Sequence, residues 1–184
     1  MKQIIGVGLA AVGILAVAIP ALADYVQRGR ELETQPIERL QFTGFDVPAP
    51  LGWSRITERE FLTRFSIPAG GYAITPSDRS EVIVVAEVPG AFTIAPASES
   101  RFVEECRTEG EKIAASKSKK RTVANVRISA FGGFKGCDLE LVNAEYSARM
   151  LLLSDGKVQA VIACERRRTD DSMCEAIANS ITVK

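Results

Sequence analysis

The chain has 184 residues, of which 46% are hydrophobic and 25% charged, the make-up of an ordinary globular protein with room for one domain and a tail. Lys plus Arg and Asp plus Glu both total 23, so the balanced field disfavours nucleic acid as a bulk partner. The absence of His removes Ser-His and Cys-His nucleophile pairs, imidazole metal ligands and an imidazole pH switch.

Met1-Lys2 gives a small basic start, and Ile4 to Ile19 is uncharged and apolar. Pro20 breaks that run before Ala21-Leu22-Ala23, and small residues behind a helix breaker fit the cleavage site of a signal peptide spanning 1–23. The alternative is an uncleaved anchor, since Ile4 to Ala23 is just long enough to cross a bilayer. Both readings place the remainder outside the cytoplasm, periplasmic or otherwise extracytoplasmic, secreted or single-pass anchored. The second also brings it close to a membrane.

Residues 24–39 are polar, mixed in charge and without apolar period, and read as a spacer. A domain is expected over 40–184. Phe42, Phe45 and Val47 predict a short strand, stopped by Pro48-Ala49-Pro50, and Leu51-Gly52 turns the chain into Trp53, a candidate core anchor. Phe61, Phe65 and Ile67 share a parity that predicts a strand over 60–67; the alternative is a short helix opened by a Thr57–Glu60 capping box. Ile83-Val84-Val85-Ala86 predicts a strand covered on both faces.

Ser98 is the expected N-cap of a long helix reaching about Lys117, with Phe102, Val103, Cys106, Gly110, Ile113 and Ala114 as its buried stripe. Lys117, Lys119, Lys120 and Arg121 follow at its C-terminal end, where cations complement the helix dipole. They are also candidate contacts for an acidic partner or lipid surface. A three-stranded meander and a closing helix come next. The first strand is Thr122 to Phe131, and Gly132-Gly133-Phe134-Lys135-Gly136 reads as a hairpin loop whose Phe131 and Phe134 are candidate partner contacts.

Asp155-Gly156 predicts a two-residue turn that pairs Leu153 with Val158 and Ser147 with Cys164. Both faces near that turn are apolar, so both need cover, which makes a layered α+β sandwich rather than an open sheet. With a regular strand from Cys137 to Leu153, Cys137 lies about 33 Å from the position beside Cys164, too far for a disulfide. The expected pairs are therefore Cys106–Cys137 and Cys164–Cys174, four separate buried thiols being the alternative. An exported compartment favours bridges.

Other chemistry finds little support. No C-x-x-C is present. Ser116-Lys117-Ser118-Lys119 has S-x-x-K spacing, but that Ser ends a helix where an acyl enzyme needs it to open one. Glu104-Glu105 and Asp170-Asp171 are adjacent pairs that do not converge on one helix face. Arg166-Arg167-Arg168 reads as a solvated loop and a candidate anion or partner contact. No catalytic residue, metal site or cofactor is expected.

Three segments together carry a resemblance: Val47-Pro48-Ala49-Pro50-Leu51-Gly52-Trp53, the turn Asp155-Gly156-Lys157, and Ile177-Ala178-Asn179-Ser180-Ile181 in the closing helix. Over about 40–184 the chain resembles the PsbP-like α/β/α sandwich family, the fold of the extrinsic oxygen-evolving-complex protein and its bacterial relatives. That resemblance implies a central antiparallel sheet with helices on both faces and a non-catalytic accessory role at a membrane protein complex. Family members that bind metal use His in part, so no metal site is carried over. The alternative function is a small-molecule carrier with an apolar cleft between sheet and helix.

Overall fold

The computed structural model describes residues 32–64, 67, 69–115, 121–142, 147–166 and 172–184. Eight strands form one antiparallel sheet in the order β1-β4-β5-β6-β10-β9-β8-β7. They are Thr34–Pro36, Trp53–Ile56, Tyr72–Pro76, Glu81–Val88, Gln159–Arg166, Ser147–Ser154, Phe134–Val142 and Thr122–Phe131 in that spatial order. A small second sheet, β11-β3-β2, joins Thr182–Val183, Phe45–Pro48 and Arg39–Gln41. The helices are α1 (Arg59–Arg64), α2 (Glu99–Ala115) and α3 (Ser172–Asn179).

The pleat sorts the core into two clusters. Alternate residues of one strand point to opposite faces, so Met150 and Leu152 of β9 join one cluster while Leu151 and Leu153 join the other. The first cluster takes Phe61 from α1 and Phe102, Cys106 and Ala114 from α2. The second takes Cys174, Ile177 and Ala178 from α3, with Phe45 and Val47 from the small sheet. β6 meets both demands at once: Val82, Val84 and Ala86 enter one cluster, Ile83 and Val85 the other. Its unbroken apolar run is thus the signature of a strand with two buried faces, as its sequence predicts. Trp53 is buried in the second cluster and Leu32 in the first, and β1 lies within the stretch read as a spacer.

Several expectations change. Residues 59–64 are helical, so the short-helix alternative prevails over the strand, though the Thr57 hydroxyl donates to the Glu33 carbonyl (3.2 Å); Phe61 still reaches the core. Ser98 does precede α2, but it ends a 3₁₀ turn (Pro96–Ser98) and its hydroxyl donates to the Ala95 carbonyl at 3.1 Å. The meander has four strands, because β8 and β9 are separate and pair from Val142↔Ser147 to Lys135↔Ser154. The Gly-rich hairpin narrows to two residues, Gly132 and Gly133, both at positive φ, with Phe134 already in β8. A Cβ on Gly136 would sit 1.8 Å from the Leu152 carbonyl oxygen, so that position admits no side chain.

The Asp155-Gly156 turn is real but wider than expected. Asp155 Oδ1 accepts from the amides of Lys157 (2.8 Å) and Val158 (2.9 Å), and Ser154 Oγ donates to the Val158 carbonyl. This side-chain bracing closes a longer loop, and the β9–β10 register becomes Leu153↔Ala160 and Arg149↔Cys164. The shift is two residues, so every side chain keeps its predicted face.

Candidate functional site

The most elaborate polar group lies where β7, β8, β9 and α3 meet. Asp138 accepts from Arg149 Nε (2.8 Å) and Nη2 (2.7 Å), from Arg127 Nε (2.8 Å) and from Ser129 Oγ (2.8 Å). Arg149 Nη1 continues to Glu175 of α3 at 2.8 Å. Asp138 and Arg149 are both buried. Burial alone would raise the Asp138 pKa, but the hydrogen bonds from Arg149 and Ser129 and the Arg149 charge outweigh it and hold the carboxyl below its ordinary value. The hydrogen bond to Asp138 likewise holds Arg149 above its ordinary value. Both Asp138 oxygens accept hydrogen bonds, Oδ2 from three donors, so the group clasps β7, β8, β9 and α3 together.

A second region is an open cleft of about 600 Å³, walled by Gln41, Phe42, Thr43, Ala69, Gly70, Glu87, Val88, Pro89 and Lys184. Its rim is locked by hydrogen bonds between distant segments. Glu87 Oε2 accepts from the amides of Thr43 (2.7 Å) and Gly44 (3.2 Å). Lys184 Nζ donates to the Phe42 carbonyl and stands 2.9 Å from Asp46 Oδ1. The hydrogen bond from Lys184 lowers the Asp46 pKa, against a smaller opposing effect of desolvation. Phe42 stacks on Phe45 with centroids 4.5 Å apart and meets Tyr72 edge-on at 5.3 Å. The cleft offers a rigid, mixed surface with an acid, a base and an aromatic floor.

The third is a gap of about 10 Å³ between α2 and the sheet, bordered by Cys106, Glu109, Cys137, Leu139, Met150 and Leu152. It has room for about one water.

The structure separates the candidate contacts read from the sequence. Phe131 and Phe134 are 8% and 0% exposed and belong to the second cluster, so they are core residues and not a contact surface. They face each other across the tight turn, which folds both rings inward. Arg121 is also buried, its guanidinium 3.1 Å from the buried Glu165, which removes it from any docking patch. Lys117, Lys119, Lys120, Arg167, Arg168 and Asp170-Asp171 lie outside the described residues, as do the Ser116–Lys119 motif, the side chain of Arg166 and the whole of 1–31. Glu104 and Glu105 pair with Arg107 (3.7 Å) and Arg101 (2.9 Å) on their own helix. Cys164 and Cys174 form a disulfide. Cys106 and Cys137 are buried thiols, so the second expected bridge is not formed in this structure. Cys137 and Cys164 lie in different clusters, so opposite faces, not distance along one strand, keep them apart.

The cleft residues went unread in the sequence. Gln41 with Thr43, Glu87 and Lys184 come from three separate segments, and no local spacing announces them. The Asp138 clasp left one faint signal: charged residues at 138, 140 and 149 inside apolar strands.

Among the described residues no helix is long and apolar enough to cross a membrane. No family model and no curated protein matches the chain. Solved structures do. The chain is similar to cyanobacterial PsbP (CyanoP) from Synechocystis, with 16% identity over 85% of this chain and 96% of that one, at a TM-score of 0.46. It is similar to the Saccharomyces cerevisiae Ran-binding protein Mog1p at 10% identity, over 83% of this chain and 96% of that one, TM-score 0.48. A Bacteroides thetaiotaomicron protein matches at 10% identity over 76% of this chain, TM-score 0.42, and the chain spans 45% of its length.

Proposed function

We propose that this protein is a non-catalytic accessory protein, periplasmic or membrane-tethered, that docks on a membrane protein complex. The observation that carries the reading is the cleft of about 600 Å³ whose rim is pre-ordered by Glu87 and Lys184. A surface already held in shape loses little entropy when a partner segment settles on it. The apolar run at 4–19 with Ala21-Leu22-Ala23, together with the Cys164–Cys174 disulfide, supports a place outside the cytoplasm. The partition of helices between the two core clusters supports a sandwich with helices on both faces of the sheet. A small-molecule carrier would need vacant volume under α2, and the gap of about 10 Å³ there is too small for an organic ligand.

The test is site-specific photo-crosslinking in the native host. A photoreactive residue at exposed Thr43, on the cleft, should yield adducts with subunits of one membrane complex. The same probe at Asp78, at the far end of β6, should yield none. Equal labelling from both positions, or none from Thr43, would count against docking through the cleft.

A further inference from the structure

We propose that Cys106 and Cys137 are joined by a second disulfide in the protein as its host makes it, stapling α2 to β8. The inference rests on the extracytoplasmic location proposed above. Its own support is geometric. The two thiols are both buried and border the same small gap between α2 and the sheet. They are 2% and 5% exposed, with Met150 and Leu139 beside them.

Their meeting is fixed by matched periodicities. Four helical residues advance about 6 Å, and two strand residues advance about 6.6 Å. Cys106 therefore stands over Cys137 while Gly110 stands over Leu139, where a Cβ on Gly110 would come within 2.6 Å of Leu139 Cδ1. Ala114 and Leu141 enter the same cluster one step further on. Two small residues, at 110 and 114, let the helix lie close to β8, so that Cys106 and Cys137 border one gap.

The bond forms by thiol–disulfide exchange with a protein or small-molecule disulfide. One thiolate attacks that disulfide and releases a thiol. The second thiolate then displaces the remaining thiol from the mixed disulfide. Two S–H bonds and one S–S bond are exchanged for one new S–S bond and two S–H bonds on the oxidant. The Cys106 hydrogen bond and burial push the Cys137 thiol far above its ordinary range, so the docked pair is a poor nucleophile. Exchange therefore precedes the seating of α2, and the finished bond is then shielded from reductants. With the staple closed, α2 cannot lift from the sheet.

Trypsin places the four cysteines in separate peptides, with Cys106 in 102–107 and Cys137 in 136–149. The full-length protein, taken from fractionated host cells, is alkylated in denaturant without reduction and digested. The expected result is a 102–107/136–149 linked pair that disappears on reduction, with an intact mass short of the reduced chain by four hydrogens. Alkylated Cys106 and Cys137 beside an intact Cys164–Cys174 link, in protein from an extracytoplasmic fraction, overturns the staple and leaves the location standing. Protein found only in the cytosol overturns the location instead. Refolding of the reduced chain in a glutathione redox buffer then decides the pair: formation of the 106–137 link upholds it, and its absence overturns it.

Discussion

Asp138 shows how one side chain can organise four elements. It sits among apolar strands and accepts four hydrogen bonds from three residues on β7 and β9, and Arg149 extends the set to α3. Removing the carboxylate strands a buried guanidinium, so Asp138→Ala is expected to cost about 3–5 kcal/mol in denaturant unfolding. The pH dependence has a definite sign. The folded-state pKa of Asp138 lies below the unfolded value of about 3.9, so in acid the unfolded chain takes up the proton more readily. Its contribution is complete above about pH 5 and is lost as pH falls through the folded value. Asp138→Asn should flatten that acid limb, and an unchanged limb would place the titration elsewhere. Gly136 makes a simpler demand. With the Leu152 carbonyl 1.8 Å from where its Cβ would be, Gly136→Ala should force β8 and β9 apart and cost about 3 kcal/mol, the upper end for overpacking.

At the scale of elements, α3 is the piece most dependent on specific bonds. It has eight residues, short for a helix to persist on propensity. Consecutive residues tie it down: Cys174 to Cys164 on β10 and Glu175 to Arg149 on β9. Cys164 and Arg149 are themselves cross-strand partners. Closing a ten-residue separation is worth about 2–3 kcal/mol in chain entropy. Replacing both cysteines by Ala should lower stability by that amount and speed amide exchange in α3 before β9; uniform exchange would mean the helix needs no clasp.

What the sequence disclosed follows the same logic. β6 and α2 were legible because their apolar patterns run long enough for a period to declare itself. α1 was not, since six residues carry too few turns to separate the period of a helix from the alternation of Phe61, Phe65 and Ile67. The β9–β10 register slipped because Asp155 and Ser154 bonded their own loop, a choice that the Asp-Gly pair alone does not reveal. The cleft stayed hidden because Phe42 and Lys184 are 142 residues apart.

For the whole molecule, the decisive seam is β6 with β10. The strands 34–88 and the meander 122–166 meet only there within the large sheet, and Val85↔Ile162 lies at its centre. Neither half buries both of its faces alone, so unfolding should be a single cooperative event. Trp53 fluorescence and far-ultraviolet circular dichroism should trace coincident denaturation curves, whereas separated midpoints would mean the halves fold independently.

The small sheet carries a consequence for biogenesis. β3 lies between β2 and β11, so its outer edge stays open until residues 182–183 arrive, and the Lys184 amide then seals against the Gly44 carbonyl at 3.1 Å. A nascent chain halted before that point keeps Phe45 uncovered on one flank and cannot lock. Contacts between such remote stretches make for slow acquisition of structure. A polypeptide built in this way postpones its own closure until its last residues are in place.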